Sequence, residues 1–259
     1  MSRAIAAANK LLSECGIVDP LQLPIEVIVR SQNIILREDD IDGADGRILI
    51  DGDSAVITID SKISYEPQRR FAIAHELGHF ILHRGKNKLF NDDEASLNQW
   101  YHTNFISEEL EANAFAAELL MPSDLFSMEC KGKVFNPEVI DFLAERFVVS
   151  KTAAILKFVK AGNYPVCVVY CSDKKMRWFK PSKDFRYFLK FERDQSPPSG
   201  SVADEFFTTG SSYLYDDRKQ NTWKSVWFKL FRDEKDKIMY EYCLHAVSYN
   251  YTLSVIWED

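Results

Sequence analysis

No segment of the sequence approaches the ~20 consecutive apolar residues that a membrane-crossing helix needs, so no membrane role is expected. The opening residues, Met1 to Lys10, also lack the unbroken apolar stretch and small-residue cleavage site of a secretory signal. Cysteine is sparse: five residues, odd in number and widely scattered, as expected of reduced thiols in a cytoplasm. Cys167 and Cys171 come nearest to half a metal site, but they fall in a run that reads as a strand. Four residues of strand set them ~13 Å apart, too far for a shared ion or a disulfide, so both are expected in the core. Basic residues are outnumbered, 32 to 39, for a net charge of -7. A protein that coats nucleic acid by bulk charge should be basic, which leaves only a local patch for such a role. There are no repeats, and Gln195 to Ser201 is the most linker-like stretch.

What is present is ordinary globular material. The 259 residues suggest one large domain or two small ones, at roughly 150 residues per domain. Hydrophobic residues make up 46% and charged residues 27%. That is enough apolar surface for a core without disulfides, which excludes intrinsic disorder and a stapled miniature scaffold.

Ala4 to Leu12 is rich in helix formers, and Pro24 sits where a first-turn proline opens a helix through Ile25, Val27 and Ile28. Three β-type runs follow, Asn33 to Arg37, Gly46 to Ile50 and Ala55 to Ile59. Asp42–Gly43, Asp45–Gly46 and Asp51–Gly52 punctuate them, the last as a hairpin signal. A small antiparallel sheet is expected. Glu66 to Leu82, with Pro67 in its first turn, is the strongest helix. Arg84 to Asn104 reads as a polar loop or lid, and Ser107 caps a second strong helix that Pro122 ends. Pro137 to Phe147 and Ser150 to Lys160 read as helix, turn, helix. Aromatic and β-branched runs then fall at Val166 to Tyr170, Trp223 to Phe231, Ile238 to Ala246 and Thr252 to Trp257. The expected fold is α+β, divided into residues 1–122, a helical connector 123–163, and a mainly β C-terminal region 164–259.

His75 to His79 has the H-E-x-x-H pattern of zinc proteases. Residues four apart on a helix lie on one face with Cβ atoms about 6 Å apart, so His75 and His79 can grip one ion. Glu76 is one residue round the cylinder, placed to reach a metal-bound water but badly aimed as a ligand. Ile73, Leu77 and Phe80 lie on the opposite, anchoring side. Zinc needs a third protein ligand. On the helix beginning at Ser107, Ala112, Phe115, Ala116 and Leu119 form the apolar face, and Glu108 and Glu111 both border it. Helix geometry does not choose between them. His83 lies eight residues past His75, ~12 Å along a straight helix, so it cannot share the metal with both other histidines. It is expected to cap the helix end, where a partly cationic imidazole is favoured. Tyr101 and His102, ahead of the second helix, are candidate donors to the oxyanion of a tetrahedral intermediate, or simply part of a lid.

Residues Arg69 to His83 (RRFAIAHELGHFILH) and Glu111 to Pro122 (EANAFAAELLMP), in that order, resemble the ImmA/IrrE family of zinc metallopeptidases. The resemblance covers about residues 20 to 125 well and the next two helices loosely. It implies a zincin-like core and Zn2+, and it carries the third ligand to Glu111, the glutamate before the Ala–Asn pair, over Glu108. With His75, His79 and Glu111 holding zinc, Glu76 would be the general base of an endopeptidase. The resemblance also implies the substrate, a helix-turn-helix repressor cleaved to induce stress-response or mobile-element genes. Members of the family often carry a helix-turn-helix behind the peptidase core. In the Ser150 helix Lys151, Lys157 and Lys160 would then meet phosphates, but no Arg, Asn or Gln there offers a bidentate base contact. A helical pair packed on the core is therefore favoured over DNA binding. The rival to an enzyme is a regulatory DNA- or protein-binding module with a structural or vestigial metal site. Glu76 speaks against it, because a structural site needs no general base. The C-terminal aromatics, among them Trp178, Trp223, Trp227 and Trp257, are mainly core, with a sensor or substrate-docking role as the alternative.

Overall fold

The computed structural model describes residues 2–84, 89–91, 107–209, 218–246 and 250–258. The chain forms two compact units, one of residues 1–126 and 144–150, the other of residues 127–143 and 151–259.

The first unit opens with α1 (Arg3–Glu14), capped by Ser2, whose hydroxyl accepts from the Ile5 amide at 3.4 Å. Ala4, Ala8, Leu11 and Leu12 form its buried stripe, the spacing of an amphipathic helix. Pro24 stands at the N-cap of α2 (Ile25–Ser31), one residue ahead of the first turn. The strands β1 (Ile34–Asp39), β2 (Gly46–Asp51) and β3 (Ser54–Asp60) follow. Gly52, at φ +58°, makes the tight turn that pairs Asp51 with Ser54.

With β4 (Leu89–Asn91) the sheet order is β1-β3-β2-β4. The expected antiparallel sheet is in fact mixed, because β1 pairs with β3 in parallel while β2 pairs antiparallel with both β3 and β4. The hairpin occupies one edge of β3, so the connection through residues 40–45 carries the chain past β3 and leaves β1 on its other edge. Ile48, Ile50, Ile57 and Ile59 are buried while Leu49 is exposed, the alternation of a sheet covered mainly on one face.

Two long helices of this unit follow, α3 (Glu66–His83) and α4 (Ser107–Leu120). Arg69 ties α3 to α2 and β1, donating to Glu26 at 2.6 Å and to Glu38 at 2.9 and 3.0 Å. From Ala72 to Phe80 every α3 residue is buried, so the side that carries His75 and His79 is covered as well as the anchoring side. The cover is α4. A Cβ on Gly78 would come within 3.2 Å of the Ala112 Cα and carbonyl and 3.1 Å of the Phe115 ring. Glycine against alanine is what lets these two helices approach so closely.

Helix α5 (Ser123–Cys130) and α6 (Pro137–Phe147) contribute residues to both units, and α7 (Lys151–Ala161) belongs to the second. Three residues join α6 to α7, with Val148 at φ +51°. Residues Ala154 to Val159 of α7 are all buried, Lys157 included, and Lys151 pairs with Asp141 at 2.9 Å. The row of solvated lysines that phosphate binding would use is therefore not formed on α7.

The second unit is built on β5 (Val166–Ser172), β6 (Lys175–Pro181), β7 (Lys219–Trp223), β8 (Ile238–Ala246) and β9 (Tyr251–Trp257). They form one antiparallel sheet in the order β6-β5-β9-β8-β7. Cys167 and Cys171 lie buried in β5, and burial pushes the Cys171 thiol up to about 12. Helix α8 (Val202–Thr209) joins the core around Trp227, Phe228 and Met239. The run Trp223 to Phe231 is not the expected strand. β7 ends at Trp223, and α9 (Lys224–Trp227) makes a helical turn. Asp236 accepts from the Ser225 amide at 3.0 Å and hydroxyl at 2.6 Å, and the turn drives Trp227 inward. Among the described residues, no helix is long and apolar enough to cross a membrane.

Candidate metal centre

The middle of α3 places His75 and His79 one turn apart, and their Nε2 atoms are 2.9 Å from each other. Both rings are buried, at 0% and 1% exposure. From α4, Glu109 brings Oε2 to 3.2 Å of the His75 Nε2 and Oε1 to 3.4 Å of the His79 Nε2. One ligand atom from each residue falls within 4.8 Å of the other two.

This third residue is Glu109, where Glu111 was expected. The Glu111 carboxylate instead lies 3.0 Å from the His83 Nε2 and 3.7 Å from an Arg3 guanidinium nitrogen. The reason is the setting of α4. Asn113 faces α3, with its Oδ1 2.9 Å from the His75 Nδ1. The residue on the same face one turn earlier is Glu109, four positions back, whereas Glu111 is roughly 160° round the cylinder. Glu108, the runner-up, is buried but not part of the cluster. The i, i+4 relation of Glu109 to Asn113 becomes a signal only once Asn113 is seen to meet His75. His83 is buried at 2% exposure and meets the His79 Nδ1 at 3.2 Å, so it is more than a helix-end cap. Tyr101 and His102 lie outside the described residues.

The donor set fits a divalent cation of zinc's type. Asn113 Oδ1 can only accept, so His75 donates from Nδ1 and turns an Nε2 lone pair toward Glu109. Two imidazole nitrogens and a carboxylate therefore converge on one small volume from which water is largely excluded. A proton in that volume satisfies one pair of atoms at a time, whereas a cation satisfies all three. The electrostatics agree. Burial, with the neighbouring His75 and His83 adding to it, outweighs the pull of Glu109 and lowers the His79 pKa. Burial alone would raise Glu109, but its hydrogen bonds with His75 and His79, and their charge, hold it well below the usual carboxylate range. Burial thus acts on His79 while its histidine partners act on Glu109, and both groups are displaced toward lower pKa.

Glu76, 1% exposed, projects from α3 toward the start of β2. A Cβ on Gly46 would sit 3.0 Å from the Glu76 Oε1 and 3.2 Å from its Cγ. Gly46, which the sequence marks only as a turn residue, is what makes room for this carboxylate.

Residues 29–158 match the family model described as Peptidase M78, IrrE N-terminal-like domain. No curated protein matches the sequence. Among solved structures, a Mycobacterium tuberculosis transcriptional regulator is similar with a TM-score of 0.63 at 17% identity, over 100% of this chain and 77% of the other. At that identity the likeness is one of fold.

Proposed function

The chain belongs to the Peptidase M78 (IrrE N-terminal-like) family, and from that premise we propose that it is a zinc-dependent endopeptidase acting on a protein regulator of transcription. The observation that carries the reading is the convergence of His75, His79 and Glu109 with Asn113 fixing the His75 ring. These three residues would hold zinc, and Glu76 would work beside it. When bound, zinc polarises a substrate carbonyl and lowers the pKa of a coordinated water. Glu76 accepts the proton of the attacking water and passes it to the leaving amine. Its burial shields that carboxylate from bulk water.

The regulator as substrate, specifically a helix-turn-helix repressor, rests on the ImmA/IrrE resemblance. The likeness to a protein titled a transcriptional regulator is compatible with such a setting. That title also favours a second reading, a regulatory module that uses its metal site structurally. Zinc content measured alongside cleavage of a co-encoded repressor separates the two. The proposal expects about one zinc per chain, lost together with cleavage in His79→Ala. Wild-type cleavage without metal would overturn it, and full zinc content with no cleavage of any repressor would favour the structural site.

A further inference from the structure

Two side chains outside the His75, His79 and Glu109 cluster are joined to it by hydrogen bonds. The His83 Nε2 lies 3.0 Å from the Glu111 Oε2. A carboxylate oxygen accepts, so His83 donates from Nε2, and in its neutral form it offers Nδ1 as an acceptor. The His79 Nδ1 lies 3.2 Å from that atom, so His79 donates from Nδ1 and its Nε2 carries the lone pair toward Glu109. The chain of contacts continues outward. Arg3 of α1 has one guanidinium nitrogen 3.7 Å from the Glu111 carboxylate and donates with another to the Leu82 carbonyl at 2.7 Å. His79 and His83 are buried, and the Glu111 side chain is 33% exposed.

We infer that His83 and Glu111 form a positioning relay that fixes the tautomer and ring orientation of His79 as a metal ligand, with Arg3 anchoring its outer end. The inference rests on the zinc reading above and assigns Glu111 a role behind the ligand rather than on the metal. His75 receives the same service from the single acceptor Asn113. His79 lies one turn further along the same face of α3, and a second imidazole, His83, links it to a carboxylate. Outer hydrogen-bond partners of this kind typically change metal affinity 10- to 100-fold when removed.

The test is zinc affinity by chelator competition on the full chain, with the visible spectrum of the cobalt-substituted protein as a second readout. His83→Leu should bind zinc about 10- to 100-fold more weakly. His83→Asn places an amide oxygen near the original Nδ1, so it should recover most of that loss. Glu111→Ala removes a partly exposed group and leaves α4 intact. It should weaken zinc several-fold while the cobalt spectrum keeps its four-coordinate intensity, whereas loss of a true ligand would change the coordination number. Arg3→Ala should have the smallest effect. Wild-type affinity in both a folded His83→Leu and Glu111→Ala would overturn the relay. A cobalt spectrum showing a lost ligand in Glu111→Ala would overturn it in favour of direct ligation. His79→Ala is the control for the underlying reading: if that variant still bound zinc like wild type, the zinc assignment itself would fall, and the relay with it.

Discussion

Each compact unit holds a glutamate among close polar partners, and the two glutamates are set up for opposite purposes. In the first unit Glu109 meets the Nε2 atoms of His75 and His79, which can offer lone pairs as readily as protons. In the second, Glu241 is fully buried, and its hydrogen-bond partners among the described residues are all donors. The Ser254 hydroxyl is at 2.7 Å, the Trp227 indole N–H at 2.9 Å, and the Val202 and Ala203 amides at the start of α8 at 3.1 and 3.3 Å. Glu241 is saturated, so it locks α8 and Trp227 onto the sheet and has no electron pair left to share with a ligand. A buried acid therefore marks a site only when its partners could themselves bind what it binds. That distinction depends on the neighbours and not on burial.

The largest effect that would break this comparison is catalytic. Glu76→Gln should keep zinc near wild type and lower peptidase turnover by about 10²- to 10⁴-fold, the usual contribution of a positioned proton acceptor. Metal analysis and repressor cleavage on the same preparation check it. Cleavage unchanged in that variant would remove Glu76 from the role. Next comes the structural carboxylate. Glu241→Ala strands two side-chain donors and two backbone amides in the core and should cost about 3–5 kcal/mol of stability. Chemical unfolding measures the loss, and zinc content per folded chain should not change. If zinc fell in step with a mild stability loss, the two acids would not be independent.

Legibility of the two units follows the range of the interactions that shape them. His75, Glu76 and His79 could be read because one helical turn brings them together whatever packs around them. The β2–β3 turn could be read because Gly52 supplies the positive φ locally. The third member of the candidate metal cluster could not be chosen that way. Glu108, Glu109 and Glu111 share little more than one turn of α4, and which of them faces α3 depends on how Gly78 seats against Ala112 and on Asn113 meeting His75. The parallel pairing of β1 with β3 failed for the same reason, since no local residue dictates which edge a strand joins. In the second unit, Trp223 to Phe231 has strand-like composition throughout. Its break at Lys224 comes from Asp236, and the destination of Trp227 from Glu241, both distant in sequence. Strand β6 was missed because Lys175, Arg177 and Lys180 interrupt its apolar residues and suit an exposed edge.

A smaller perturbation sharpens the first half of the comparison. Gly46→Ala adds a methyl 3.0 Å from the Glu76 Oε1 and 3.3 Å from the Ile59 Cδ1, at a backbone φ that alanine adopts without strain. The Glu76 carboxylate must move by a few tenths of an ångström. Turnover should fall about tenfold, since sub-ångström misplacement of a reacting group is already costly. Zinc affinity and unfolding midpoint should stay close to wild type. Equal losses in all three would mean that Gly46 serves packing instead of the Glu76 position.

The smallest expected effect is a difference in sign. Glu26 in the first unit is pushed up by burial but pulled down more by its hydrogen bond and ion pair with Arg69, so its folded pKa lies below its ordinary value of 4.5. Its stabilising share is present above pH 4.5 and lost as pH falls through the folded value. It amounts to a few tenths of a kcal/mol, because the pair is partly solvated. For Glu241 burial outweighs its four donors and the folded pKa lies above 4.5. The unfolded chain then releases that proton first, so this carboxyl's share is fullest below pH 4.5 and declines as pH rises toward the folded value, with a slope of at most about 1.4 kcal/mol per pH unit. Urea unfolding of wild type, Glu26→Gln and Glu241→Gln across a pH series isolates each share by difference. The wild-type advantage over Glu26→Gln should shrink toward acid, and that over Glu241→Gln should shrink toward neutrality. Two advantages that shrink in the same direction would mean that Glu241's donors outweigh its burial, and the contrast between a solvated ion pair and a sealed carboxyl would fail.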